Sequence, residues 1–192
     1  ITFPMMLGLI GIRQPLVTGI FGSQWLPIQP LILILAPVGL IQSIGTTVGP
    51  IFQAKGRTDW MMRWGLVSAV LTSTAFVIGL RWGVTGVALS YAIVSCMLAY
   101  PGFAIPFRLI GLPVKNLGQA LWRTLVCSCL MLGSMLALAA VLPDSLTEAW
   151  QMIILVPSAV ASYLLFSRII NEEHMSQATA LILPYWSGLQ KK

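Results

Sequence analysis

The sequence has very few charged residues for its length. Only 8% of its 192 residues are Asp, Glu, Lys or Arg, whereas 57% are hydrophobic. An ordinary soluble domain carries about 25% charged residues. A soluble fold of this size would lack the polar side chains needed to cover its surface. The composition therefore indicates a protein of the lipid bilayer.

Residues that support catalysis or metal binding are also scarce. The chain has one histidine, His174, and five acidic residues. Its three cysteines, Cys96, Cys127 and Cys129, fall within apolar runs and form neither a metal-ligand spacing nor a disulfide framework. We find no P-loop, no GxGxxG motif after a strand and no HExxH motif. We therefore expect no enzymatic activity, no metal site and no cofactor.

Five apolar runs are long enough to cross a hydrocarbon core of about 30 Å, which takes roughly 20 residues in a helix. None of them has a charged residue in its interior, and the opening run, 1–12, resembles the end of a sixth helix. Six of the seven tryptophans lie near predicted span ends, as expected for an aromatic belt. The sequence predicts an all-α, polytopic transmembrane bundle over residues 1–170 and a cytoplasmic interfacial tail at 171–192. The five predicted spans are 26–54, 64–80, 82–107, 124–142 and 149–167.

The basic residues account for the net charge of +6 without a nucleic-acid partner, because they flank apolar spans and do not form a patch with stacking aromatics. Nine fall on one side of an alternating topology, and only Arg13 and Arg81 fall on the other. The positive-inside rule then places the nine, and the C-terminus, in the cytoplasm. The nine are Lys55, Arg57, Arg63, Arg108, Lys115, Arg123, Arg168, Lys191 and Lys192.

Four of the eleven basic residues are candidates for binding an anionic substrate. Arg13 lies between two apolar runs, where its guanidinium could bind phosphates; the alternative is snorkelling at the outer end of a helix. Lys55, Arg57 and Arg63 lie in the run AKGRTDWMMRW, where they would meet an anionic lipid-linked substrate at the inner leaflet. Topology and binding of anionic headgroups would explain the same three residues.

Several motifs resemble the C-terminal lobe of polysaccharide exporters in the multidrug, oligosaccharidyl-lipid and polysaccharide superfamily, of the colanic-acid and teichuronic-acid type. In chain order they are FGSQW at 21–25, a long apolar helix through Leu35, Gln42 and Ser43, AKGR at 54–57, and the 82–90 run with Gly83, Gly86 and Val87. The resemblance covers roughly residues 3–107.

The resemblance implies a two-lobed bundle in the bacterial plasma membrane. Such a bundle moves a polyprenyl-pyrophosphate-linked glycan from the inner to the outer leaflet by alternating access. This chain, which opens at Ile1 inside an apolar run, would supply most of one lobe. Its partners would be the glycan carrier, membrane lipids and an N-terminal lobe upstream.

Three other functions stay open. A multidrug extruder of the same architecture would favour acidic residues in its cavity for cationic drugs, whereas the charges here are mostly basic. A membrane-embedded enzyme of polysaccharide assembly would be expected to carry a large outer loop or clustered carboxylates. A non-transporting membrane scaffold is the third. Whatever the function, we expect small residues to allow close helix packing, here at Gly45 with Gly49 and at Gly79 with Gly83.

Overall fold

The computed structural model describes residues 2–143 and 146–170, and within those ranges it contains helices and no strands. The predicted tail at 171–192 lies outside the described residues. In chain order the elements are α1 (Thr2–Gly11), α2 (Arg13–Leu16), a π-helical turn (Val17–Phe21), a 3-10 helix (Ser23–Ile28), α3 (Gln29–Gly45), α4 (Val48–Ala54), α5 (Thr58–Gly79), a 3-10 turn (Leu80–Trp82), α6 (Gly83–Leu109), α7 (Val114–Val141) and α8 (Glu148–Ile170).

Four continuous helical stretches of the described chain are long and apolar enough to cross a membrane. They are Ser23–Ala54, Thr58–Leu109, Val114–Val141 and Glu148–Ile170. The second has 52 residues. Its two halves, α5 and α6, pack side by side, so the chain doubles back at Leu80–Trp82. At 1.5 Å per residue α5 and α6 are each more than 30 Å long, so each is long enough for one crossing. The predicted all-α, polytopic bundle is confirmed.

The α5–α6 hairpin closes through an approach of two backbones at glycine. A Cβ atom on Gly86 would lie 2.5 Å from the carbonyl oxygen of Gly79, and one on Gly79 would lie 2.8 Å from the carbonyl oxygen of Gly86. Gly83 instead has a φ of +69° and open space around it. The expected close-packing pair Gly79 and Gly83 is therefore wrong: Gly79 packs on Gly86, and Gly83 makes the turn.

The first segment of the chain is a broken helix. The stretch Arg13–Phe21 is bent by 80° relative to α1. The predicted end of a sixth helix near Ile12 thus agrees with the end of α1 at Gly11, but helical structure resumes after the bend. Gly19 in the bent stretch lies against the Cβ of Glu148, the first residue of α8. The bent stretch therefore lies at the end of the bundle where α8 begins.

Helix α1 lies between α3 and α7, and methionines on one helix pack against glycines on the next. A Cβ atom on Gly11 would lie 2.9 Å from the Met135 side chain of α7. The Met6 side chain of α1 packs against Gly39 of α3 in the same way. Met135 is only 2% exposed and belongs to a core with Leu7, Met131, Leu155 and Ala159. Small residues let neighbouring helices approach closely, which is how helices associate in lipid.

Two helices begin earlier than the apolar runs predict. Helix α5 begins at Thr58 and not near residue 64, and α7 begins at Val114 and not near residue 124. The added turns carry exposed polar side chains such as Asp59, Arg63 and Lys115. Hydrophobicity marks the part of a helix that lies in hydrocarbon, whereas backbone hydrogen bonding continues into the headgroup region.

Candidate functional site

A groove of about 560 Å³, whose mixed lining includes a row of polar side chains, lies between helices α3, α4, α5 and α6. We call it the polar groove. Most of the bundle's outer surface is apolar; Val84, Met97 and Ile169, for example, are more than 70% exposed. Polar side chains gathered in one place are therefore exceptional in this molecule. Those lining the groove are Gln42, Thr46, Trp64, Ser68, Thr72, Tyr91 and Ser95.

Helical periodicity brings these side chains together. Trp64, Ser68 and Thr72 are spaced four residues apart along α5, so they lie one above another on one face. Tyr91 and Ser95 have the same spacing on α6. Since α5 and α6 form a hairpin and α3 packs on α6, the polar faces of the two helices line one groove together with Gln42 of α3.

Gln42 and Tyr91 form the side-chain link between α3 and α6. The Gln42 Nε2 donates a hydrogen bond to the Tyr91 hydroxyl oxygen. The Tyr91 ring also packs against Phe76 of α5, with ring centroids 5.5 Å apart and the planes inclined at 50°. Tyr91 is thus held by contacts on two sides, which fixes the position of its hydroxyl in the groove.

Three hydroxyl groups in the groove differ from those in the bundle that are bonded within their own helix. The hydroxyls of Ser43, Thr74, Ser128, Ser134, Ser158 and Ser162 each donate to a carbonyl three or four residues earlier in their own helix. That is the usual way for Ser and Thr to be satisfied in a membrane helix. In the described ranges no such bond is present for Ser68, Thr72 or Ser95. Their hydroxyls remain available to a molecule in the groove.

Glycines give the groove its width. Gly45 and Gly65 both line it, and a Cβ atom on either would meet nothing within 4 Å. A Cβ atom on Gly49 would lie 3.8 Å from the Met61 side chain, and one on Gly102 would lie 3.5 Å from the indole nitrogen of Trp64. The expected close packing is therefore wrong for Gly45, which borders open space, whereas Gly49 of α4 lies beside Met61 of α5.

One end of the polar groove lies beside the α4–α5 connection, near three of the predicted basic residues. Lys55 and Arg57 lie in the α4–α5 connection and Arg63 in the first turns of α5, and all three are exposed. The groove is lined on either side of this connection by Phe52 and Met61. We call Lys55, Arg57 and Arg63 the basic loop. From Met61 to Thr72 the groove runs about 16 Å along α5, roughly half the hydrocarbon thickness.

The fourth predicted residue, Arg13, lies elsewhere. It begins α2 at the 80° bend, close to the end of the bundle where α8 starts. Its side chain is half-buried, and Nη1 donates a 3.0 Å hydrogen bond to the carbonyl of Ile10. The structure therefore groups three of the four candidates at one end and leaves Arg13 at the other, where it satisfies a carbonyl beside the break.

Two further basic residues lie at the basic-loop end. Arg108 at the end of α6 and Lys115 at the start of α7 line a cavity of about 440 Å³ together with Tyr100. The α5–α6 hairpin returns the chain to the end at which α5 began, so both lie at the same end as Arg57. Over residues 2–143 and 146–170, no group of three His, Cys, Asp or Glu side chains could hold a metal ion.

The polar lining of the groove is not predicted by the sequence analysis above. There Gln42 belongs only to a family-like run, and Ser68, Thr72, Tyr91 and Ser95 belong to no motif. The signal was the four-residue spacing of polar side chains inside spans that are otherwise apolar. Spacing alone does not say which helices are neighbours, so the convergence needed the fold.

Curated relatives align with parts of the chain. The lipopolysaccharide biosynthesis protein WzxC of Escherichia coli (strain K12) is 31% identical over 150 residues, or 76% of this chain and 30% of that protein. The teichuronic acid biosynthesis protein TuaB of Bacillus subtilis (strain 168) is 30% identical over 96 residues, 50% of this chain and 20% of that protein. A membrane protein encoded in the cps region of Klebsiella pneumoniae is 27% identical over 104 residues, 52% of this chain and 21% of that protein.

The chain thus spans less than a third of the length of these relatives. No family model matches the chain, and no solved structure matches it. One relative is named for lipopolysaccharide biosynthesis, one for teichuronic acid biosynthesis, and the third is called a membrane protein. The predicted resemblance is confirmed at this level.

Proposed function

We propose that this chain, which belongs with the polysaccharide exporters of the multidrug, oligosaccharidyl-lipid and polysaccharide superfamily, forms one lobe of a transporter for lipid-linked glycans. The transporter would move a polyprenyl-pyrophosphate-linked oligosaccharide from the inner to the outer leaflet of the bacterial plasma membrane. Residues 1–170 would form the lobe and 171–192 a tail at the cytoplasmic face. An N-terminal lobe would complete the central cavity.

The observation that carries this proposal is the juxtaposition of the basic loop with the polar groove. A lipid-linked glycan has two parts that cannot enter hydrocarbon without a partner: a charged pyrophosphate and sugars rich in hydroxyl groups. Lys55, Arg57 and Arg63 supply positive charge at the end where such a headgroup would enter. The groove beyond them supplies uncharged hydrogen-bonding groups. The polyprenyl chain would stay in the lipid beside the apolar outer faces of the helices.

Arg13 fits the same scheme at the far end of the bundle. If the basic loop binds the pyrophosphate on the cytoplasmic side, Arg13 lies where the pyrophosphate would arrive after the lobes reorient. Its place at a break between α1 and α2 favours this role, because broken helices in transporters line substrate paths. We propose no bond-making step for this chain.

A multidrug extruder is the second candidate, and the groove argues against it. An intramembrane site for cationic drugs calls for a carboxylate, and no Asp or Glu lines the polar groove. Asp59, the acid closest in sequence to the groove lining, is exposed in the first turn of α5.

The test is deletion of the full-length gene in its native host. Polyprenyl-linked oligosaccharide is quantified in the extracted lipids, together with surface polysaccharide and resistance to cationic dyes. We expect lipid-linked repeat units to accumulate, surface polysaccharide to disappear and dye resistance to stay unchanged. Unchanged lipid intermediates with greater dye sensitivity would contradict the proposal and favour the drug extruder.

A further inference from the structure

We propose that the polar groove is a glycan-binding site, in which sugar residues of the transported lipid bind between α3, α5 and α6 while the pyrophosphate stays at the basic loop. This inference rests on the proposed function and deepens it by assigning the two parts of the substrate to two parts of this chain. The site comprises the Gln42–Tyr91 pair, the hydroxyls of Ser68, Thr72 and Ser95, and the indole of Trp64.

The chemistry of the lining selects a neutral, hydroxyl-rich ligand. All the side chains that line the groove are uncharged, so a phosphate or an ammonium group would enter without a counter-ion. Hydroxyl and amide groups both donate and accept hydrogen bonds, and so do the hydroxyls of a sugar. The groove's volume of about 560 Å³ lies within the usual range of ligand sites.

Unused hydrogen-bonding capacity separates this site from polar residues that only join helices. Gln42 and Tyr91 bond to each other across α3 and α6, which is a common way to join membrane helices. Ser68, Thr72 and Ser95 do not fit that explanation. In the described ranges they bond to neither a neighbouring helix nor their own carbonyls, unlike Thr74, two residues beyond Thr72 on α5. Such hydroxyls in a bilayer need water or a ligand.

Trp64 adds an aromatic surface near the entrance of the groove. Its indole is half-buried and packs over Gly102 of α6, which has no side chain to cover it. An aromatic ring offers an apolar face and, at the indole nitrogen, a donor. The apolar C–H face of a pyranose ring would stack on the indole face, and a sugar hydroxyl would accept a hydrogen bond from the indole nitrogen. A sugar bound here would lie directly beyond the basic loop, as required if its pyrophosphate is held there.

The test is a binding experiment on the full-length protein in lipid nanodiscs with two probes. One is the lipid-linked oligosaccharide purified from the native host, and the other is polyprenyl diphosphate, which carries no sugar. The groove variant is S68A/T72V. Its matched control is S73A/T74V, on the same helix, with the same chemistry and outside the groove lining. Folding of each variant is checked by its melting temperature.

We expect S68A/T72V to bind the lipid-linked oligosaccharide about tenfold more weakly, since two hydrogen bonds are lost. It should bind polyprenyl diphosphate like the wild type, and S73A/T74V should bind both probes normally. Wild-type binding of both probes by S68A/T72V would overturn the glycan site. The proposed function would still stand if the deletion strain accumulates lipid-linked oligosaccharide. If the deletion strain accumulates no lipid-linked oligosaccharide and the wild-type protein binds neither probe, both the proposed function and the glycan site are overturned.

Discussion

Two of the grooves between the helices of this chain are similar in size but differ in the number of polar side chains that line them. The polar groove between α3, α4, α5 and α6 has a volume of about 560 Å³. A second groove of about 460 Å³, which we call the methionine groove, lies between α1, α7 and α8. It is lined almost wholly by apolar side chains: Pro4, Met5, Gly8, Leu9, Ile12, Met131, Met135, Val156, Ala159, Val160, Tyr163 and Leu164.

This difference distinguishes a groove that belongs to helix packing from a groove that we propose binds the substrate. An apolar groove is compatible with lipid chains, and Met131 and Met135 at its base are buried in the core. Polar groups in hydrocarbon cost free energy unless they are satisfied. The methionine groove therefore belongs to the packing of α1 against α7 and α8, whereas the polar groove calls for a polar occupant.

The largest effect on stability is expected at the methionine groove. Met135→Ala leaves a cavity where the side chain packs on Gly11 and should lower the free energy of unfolding by about 2–5 kcal/mol. The change would be measured as a shift of the SDS unfolding midpoint of the full-length protein. Ser68→Ala in the polar groove is the control, with a change within about 0.5 kcal/mol. Equal losses in both variants would break the division between the two grooves.

The next effect concerns the entrance of the polar groove. In K55A/R57A two exposed charges are lost, each worth about 1 kcal/mol near an anionic surface, so binding of polyprenyl diphosphate should weaken about 30-fold. The loss should shrink at high salt, because these charges are exposed and screened. The matched variant is Arg81→Ala, in the turn at the opposite end of the α5–α6 hairpin. If it weakens binding equally, then the basic loop is not the pyrophosphate site.

The smallest effect is expected at Tyr91. Tyr91→Phe keeps the ring against Phe76 but removes the hydroxyl that accepts the hydrogen bond from Gln42. Interhelical hydrogen bonds in membranes contribute about 0.6 kcal/mol on average, so the unfolding midpoint should fall only slightly. Tyr100→Phe, on an exposed side chain of the same helix, is the comparison. A loss above about 2 kcal/mol would show that the polar groove also holds the bundle together.

The spans and their order could be predicted from the sequence because hydrocarbon accepts only long apolar helices. The first residues of α5 and α7 could not be predicted, since a helix continues into the headgroup layer, where polar residues such as Asp59 and Lys115 are tolerated. The basic loop could be predicted, because exposed charges flanking a span are visible in the sequence.

What could not be predicted depended on which helices are neighbours. The sequence shows Gly45, Gly79 and Gly86 as the same residue, yet Gly79 and Gly86 touch across a hairpin and Gly45 borders open space. The polar groove could not be predicted for the same reason. Ser68 and Tyr91 are 23 positions apart in the sequence, and only the packing of α5 on α6 makes them part of one lining.

The most direct test of the central claim is translocation of the lipid-linked oligosaccharide by the full-length protein in reconstituted vesicles, with the polar groove filled by Gly45→Leu. A Cβ on Gly45 meets nothing within 4 Å, and leucine favours a helix more than glycine does, so the fold should be kept. Gly133→Leu on α7, which also has open space and lies outside the polar groove, is the control. We predict at least a tenfold slower translocation for Gly45→Leu and an unchanged rate for Gly133→Leu. Equal, wild-type rates for both variants would contradict a substrate path through this groove.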